Sequence, residues 1–344
     1  MPGLGELAGE PFREPWSGRR GYRLHYNENL FLPREYYERL YEGLGDPEDT
    51  RFYSDPRNME ARAAVAELYG VDPEEVLLAP GVDALIGLVA TAASVMGWRA
   101  SVPQPTYDMY SEKLRARRVL VEEPLLGPGW EPPWGELGGD VVFLCRPNNP
   151  TGSVAGLEGI RGLLESGVDL VVVDETYADY AGETLIPLAK RYENLLVLRS
   201  FSKSWGLAGA RLGAAVGHPS TIAGLEALAD PYSLPLQSRR ILLAALELRG
   251  LVEDAVRRTV EARDRLTRGL EELGAAPHPS RANFVLFRPP RAKAVLYGLA
   301  ERGYLLRDVG SKPLLWGHLR VTVPPSPILE GFLEALRETM EEVE

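Results

Sequence analysis

Short, mostly apolar runs recur along this chain at intervals that leave room for a helix between them. This recurrence constrains the fold more than any other feature. The runs are 76–79, 100–102, 119–121, 141–145, 170–173, 195–199 and 214–216. Val141-Val142-Phe143-Leu144 and Val171-Val172-Val173 show no apolar–polar alternation, so both faces of such strands must be covered. The stretches 33–44, 56–69 and 81–96 carry helical spacing, the first opened by Pro33. The pattern predicts an α/β fold with a mainly parallel seven-stranded sheet sandwiched by helices.

Past residue 219 the pattern changes. Long amphipathic helices are expected over 235–248 and 251–273, strands over 283–287, 304–307 and 319–323, and helices over 291–302 and 328–343. This describes a smaller α/β unit. The expected organisation is an N-terminal arm over 1–32, packed on the small domain or a partner subunit, a large domain over 33–235 and a small domain over 236–344. A length of 344 residues suits two such units.

Composition excludes several classes of function. The formal charge of −11 argues against nucleic acid, whose phosphates need clustered Lys and Arg. No apolar run reaches membrane-spanning length, and the opening MPGLGELAGEPFREPW lacks the charged and apolar regions of an export signal. Cys145 stands alone at the end of an apolar run, which suits a buried structural thiol and forbids an intrachain disulfide. A soluble cytoplasmic protein is expected, with no metal.

The chemistry gathers at strand ends. In order these are Gly81-Val82-Asp83, Pro105-Thr106-Tyr107-Asp108-Met109-Tyr110, Pro147-Asn148-Asn149-Pro150-Thr151-Gly152, Asp174-Glu175-Thr176-Tyr177 and Ser200-Phe201-Ser202-Lys203, followed by Arg211. In an open α/β sheet, ligands bind outside the carboxyl ends of the strands, so these clusters should meet in one crevice. Ser200, Ser202 and Arg211 suit a phosphate, with backbone N–H groups of Val82 and Asp83 at a helix N-terminus. Asp174 closes a wholly apolar strand and needs a partner, which a protonated pyridine nitrogen would supply. Tyr177 and Asn149 are placed to hydrogen-bond a phenolic ring oxygen, and Tyr110 to stack on the ring. Lys203 is the candidate imine-forming amine. The cofactor so described is pyridoxal 5'-phosphate.

With these motifs the chain resembles the fold-type-I aminotransferases and, among them, the histidinol-phosphate aminotransferase family. Matching stretches include Tyr26-Asn27-Glu28-Asn29, Phe52-Tyr53-Ser54-Asp55-Pro56, PTYDMY (105–110), PNNPTG (147–152), SFSKSWGLAGARLG (200–213), LLRD (305–308) and LRVTV (319–323). The resemblance implies the pyridoxal-phosphate transferase fold and ping-pong transamination between an amino substrate, L-histidinol phosphate, and 2-oxoglutarate. It implies that Tyr53 reaches the cofactor phosphate of a neighbouring subunit in a homodimer, that Arg320 takes a substrate carboxylate, and that Arg307 meets a distal phosphate. The chain departs from the family at Ala84, where an acidic residue is usual, and at Ser54, where a proline is usual. The family's arm tyrosine aligns with Tyr22, with Tyr26 or with neither. Rival readings are a threonine-phosphate decarboxylase or an aromatic aminotransferase on the same scaffold, and a non-enzymatic regulator, for which no segment is spare.

Overall fold

The computed structural model describes residues 16–343. The export-signal reading and the first part of the arm lie outside the described residues. In chain order the strands are β1 (Tyr22–Arg23), β2 (Val76–Ala79), β3 (Arg99–Ser101), β4 (Leu120–Glu122), β5 (Val141–Cys145), β6 (Leu170–Asp174), β7 (Leu195–Ser200), β8 (Gly213–Gly217), β9 (Phe284–Phe287), β10 (Tyr304–Leu305), β11 (Arg307–Asp308) and β12 (Leu319–Thr322). The helices are α1 (Arg34–Glu42), α2 (Met59–Tyr69), α3 (Val82–Met96), α4 (Met109–Arg115), α5 (Leu157–Leu164), α6 (Ala178–Ala181), α7 (Ile186–Ala189), α8 (Pro219–Glu226), α9 (Leu236–Glu247), α10 (Arg249–Glu272), α11 (Ala292–Glu301) and α12 (Ile328–Val343).

The large sheet has the seven predicted strands in the order β2-β8-β7-β6-β5-β3-β4. Its pairs are parallel except those of β8, which runs antiparallel to β2 and β7. The reason is the connection. Residues 201–212 join β7 to β8 without a crossover helix, and a chain that returns directly can only pair antiparallel. The pleat divides each strand between two cores. Val142, Leu144, Val171 and Val173 face one. Val141, Phe143, Cys145 and Val172 face the other.

The smaller unit is built on the sheet β11-β12-β9 and a separate core containing Leu266, Phe287, Leu299, Phe332 and Leu336. In α12 the buried Leu329, Phe332, Leu336 and Met340 recur every three or four residues, so one stripe faces inward. Trp16, Leu24 and Phe31 of the arm sit in this core, and β1 pairs in parallel with β10. The single strand expected over 304–307 is therefore two. Residues 304–305 pair with the arm, whereas 307–308 turn to β12.

Helix α9, assigned by sequence to the small unit, contributes Leu242 and Ala245 to the large unit's core. The change of core falls inside α10, where Val252 and Val256 face the large unit's core and Ala255 and Ala262 the small unit's.

Candidate active site

The loop that reverses the chain between β7 and β8 carries Lys203. Its Nζ is partly buried and donates to the Tyr26 carbonyl at 2.7 Å. Burial, aided by the nearby Arg320 guanidinium, pulls the ammonium down to about 8. A lysine so depressed holds a substantial fraction of free amine near neutral pH.

Asp174 is the last residue of β6 and is buried. Its Oδ2 accepts the Tyr110 hydroxyl at 2.7 Å, and its Oδ1 accepts the Thr176 amide at 2.9 Å. Among the described residues no Lys or Arg pairs with it. Burial pushes its carboxyl above the usual range. A buried carboxylate is costly unless a cation accompanies it.

Between these groups the structure gathers polar side chains from both units. Tyr177, nearly fully buried, accepts from Asn27 Nδ2 at 3.0 Å, and burial pushes its phenol up to about 12. Arg320 donates to Asn149 Oδ1 and to the His25 carbonyl. Its guanidinium lies 5.2 Å from the Phe284 ring centroid.

The residues expected to hold a phosphate meet where β2 feeds α3. Gly81 has φ +84°, and a Cβ there would come within 2.7 Å of Arg211 Nη2. The glycine thus lets the guanidinium approach the helix N-terminus. Arg211 lies 3.4 Å from Asp83 Oδ2, and Tyr107 donates to Asp83 Oδ1 at 3.0 Å. The Ser202 amide donates to Ser200 Oγ at 3.2 Å. Two hydroxyls, a half-exposed guanidinium and the N–H groups of Val82 and Asp83 in the first turn of α3 supply the donors of an anion cradle. Its donors, the uncompensated Asp174 and the depressed Lys203 fit pyridoxal 5'-phosphate.

Tyr110 is the correction. The expectation placed it on the ring face. It is fully buried, its ring stacked on Phe143 at 5.3 Å and its hydroxyl spent on Asp174. It lies on the inward face of α4 with Leu114, four residues on. The aromatic residue of that loop which borders the cradle is Tyr107, only partly buried.

Tyr53 is 86% exposed and touches Tyr232, so within one subunit it makes no contact with these groups. Of the arm tyrosines, Tyr22 is exposed and stacks on Tyr304, whereas the backbone of Tyr26 meets Lys203. Arg307 pairs in register with Arg320 and makes no ion pair with Asp308 or any other acid among the described residues.

Asn27 and Lys312 were not singled out by sequence. Lys312 Nζ donates to the Thr106 carbonyl at 2.9 Å and pairs with Asp108. Burial lowers its ammonium despite Asp108, and Arg307 and Arg320 add to this. Asn27 lies in a stretch already noted for resemblance, and its φ of +56°, which favours Asn, fixes its amide on Tyr177. Lys312 lies in a loop with no sequence signal.

The profile of the class I and II aminotransferases matches residues 22–336. A histidinol-phosphate aminotransferase of Caldanaerobacter subterraneus subsp. tengcongensis is 33% identical over 331 residues, covering 93% of each chain. One of Thermococcus gammatolerans is 35% identical over 335 residues, covering 96% of this chain and 94% of its own. The solved histidinol-phosphate aminotransferase of Sinorhizobium meliloti, in complex with pyridoxal-5'-phosphate, superposes with a TM-score of 0.87 at 23% identity, over 97% of this chain and 96% of its own. The chain therefore belongs to the class I and II aminotransferases and is a pyridoxal-phosphate-dependent enzyme of that family.

Proposed function

We propose that this aminotransferase moves the amino group of L-histidinol phosphate to 2-oxoglutarate, a step of histidine biosynthesis, as a cytoplasmic homodimer. The observation that carries the reading is the cationic cluster of Arg307, Lys312 and Arg320 beside Asn149, which Asp108 and the more distant Glu112 offset in part. An amino substrate bearing a phosphate matches that excess of positive charge. The relatives described above bear the name of this activity.

When bound, the cofactor supplies a carbonyl carbon for the amine and an electron sink for the α-carbon. The protein's residues do the rest. Val82, Asp83, Ser200, Ser202 and Arg211 would hold the cofactor's phosphate, and Tyr107 would border its ring. Asp174 would pair with the ring nitrogen. Asn149 and Tyr177 would donate to the ring oxygen. Lys203 Nζ would bind the carbonyl carbon and, when free, accept and return the substrate's α-proton. Arg320 orients the carboxylate of the keto acid, and Arg307 meets the phosphate of the amino substrate. Tyr53 reaches the phosphate end of the other subunit's site.

Single-turnover spectra with L-histidinol phosphate, threonine phosphate and phenylalanine test the substrate. The first should convert the cofactor to its amine form fastest. Faster conversion by phenylalanine, or carbon dioxide release from threonine phosphate, would reject the reading.

A further inference from the structure

A buried phenol usually carries its hydroxyl for a partner rather than for packing. The ring of Tyr110 is fully buried against Phe143 and Leu114, where phenylalanine would fill the same space. Its hydroxyl meets Asp174 Oδ2 at 2.7 Å.

The groups facing Asp174 decide which of the two donates. They are Cys145 from β5, Tyr110 from α4, Tyr107 from the loop before it, Asp83 from α3, and Thr176 and Tyr177 from the segment after β6. Burial holds the Cys145 thiol and the Tyr110 and Tyr107 phenols neutral. Asp83 repels the carboxylate. On the other side of this balance stand the Thr176 hydroxyl, the Tyr110 hydroxyl on Oδ2 and the Thr176 amide on Oδ1.

We propose that Tyr110 is a positioning residue whose hydroxyl fixes Asp174 as an ionised acceptor and so keeps the proton on the cofactor's ring nitrogen. The proposal rests on the reading of Asp174 as the partner of that nitrogen. Without the hydroxyl the carboxylate becomes more basic and draws the shared proton to itself. The pair becomes neutral, and the ring loses the positive charge that makes it electron-withdrawing. The nitrogen joining Lys203 to the cofactor then becomes more basic.

The test is Tyr110→Phe as holoenzyme, read by the pH midpoint of the visible cofactor band and by cofactor affinity. The midpoint should rise by about one unit, and the cofactor should bind about tenfold more weakly, the effect of one charge-assisted hydrogen bond. Replacing Tyr110 with 3-fluorotyrosine, a stronger donor of nearly the same shape, should move the midpoint down and covers a failure of the first variant to fold. Phe143→Leu disturbs the packing but not the hydroxyl and should leave the midpoint in place. An unchanged midpoint in Tyr110→Phe, or an equal shift in Phe143→Leu, would overturn the proposal. Asp174→Asn separates the two readings. If it shifts the midpoint and Tyr110→Phe does not, only the role of Tyr110 fails. If neither shifts it, the pairing of Asp174 with the ring nitrogen fails as well.

Discussion

Lys203 must lose its proton before it can attack a carbonyl carbon, and its depressed value near 8 sets when it does. In cofactor-free protein mixed with pyridoxal phosphate, the rate of linkage should therefore rise about tenfold per pH unit below pH 8 and level off above it. A lysine at its ordinary 10.5 would keep accelerating throughout that range. Stopped-flow absorbance from pH 6 to 9 distinguishes the two, and Lys203→Ala should show no band beyond that of free pyridoxal phosphate at any pH. Lys203 and Asp174 were legible because each ends or follows an apolar strand, where a charge is conspicuous. Tyr110 was misread because two tyrosines three residues apart both fit the loop. Only the onset of α4 at Met109 turns the second one inward. Lys312 escaped notice because its neighbours come from sequence positions some 200 residues away.

At the scale of elements, the proposed phosphate cradle depends on how closely β8 passes the start of α3. A Cβ at Gly213 would lie 2.7 Å from the Gly81 carbonyl carbon and the Val82 nitrogen. These are backbone atoms with nowhere to go. Gly213→Ala should therefore cost about 1–3 kcal/mol of stability through overpacking. It should also loosen the cradle, read as a lower melting temperature and weaker cofactor binding in the same protein. A variant with full affinity and unchanged melting would contradict the close approach. The seven strands of the large sheet were legible from their unbroken apolar runs. The direction of β8 was not, because antiparallel pairing followed from the direct return over 201–212, which has no crossover helix, rather than from the strand itself. The core served by α9 was equally hidden. An amphipathic stripe shows that a helix is covered, but not by which neighbour.

At the scale of the molecule, the exposed Tyr53 and its neighbour Tyr232 leave an aromatic pair outside the subunit's own site. If Tyr53 completes the other subunit's site, inactive Lys203→Ala and impaired Tyr53→Ala chains should rescue each other. Unfolded together and refolded as a mixture, they should regain about a quarter of wild-type activity, since half the dimers are hybrids with one intact site each. No gain over the separate variants would exclude a shared site. The seating of the arm has another consequence. Lys203 donates to the Tyr26 carbonyl, Arg320 to that of His25, and Thr322 to that of Leu24. Residues 24–26 are synthesised about 300 residues before Arg320 and Thr322, yet they settle only against them. A nascent chain can complete its large sheet early, but the surroundings that depress Lys203 form only once Tyr26 and Arg320 have come together around it.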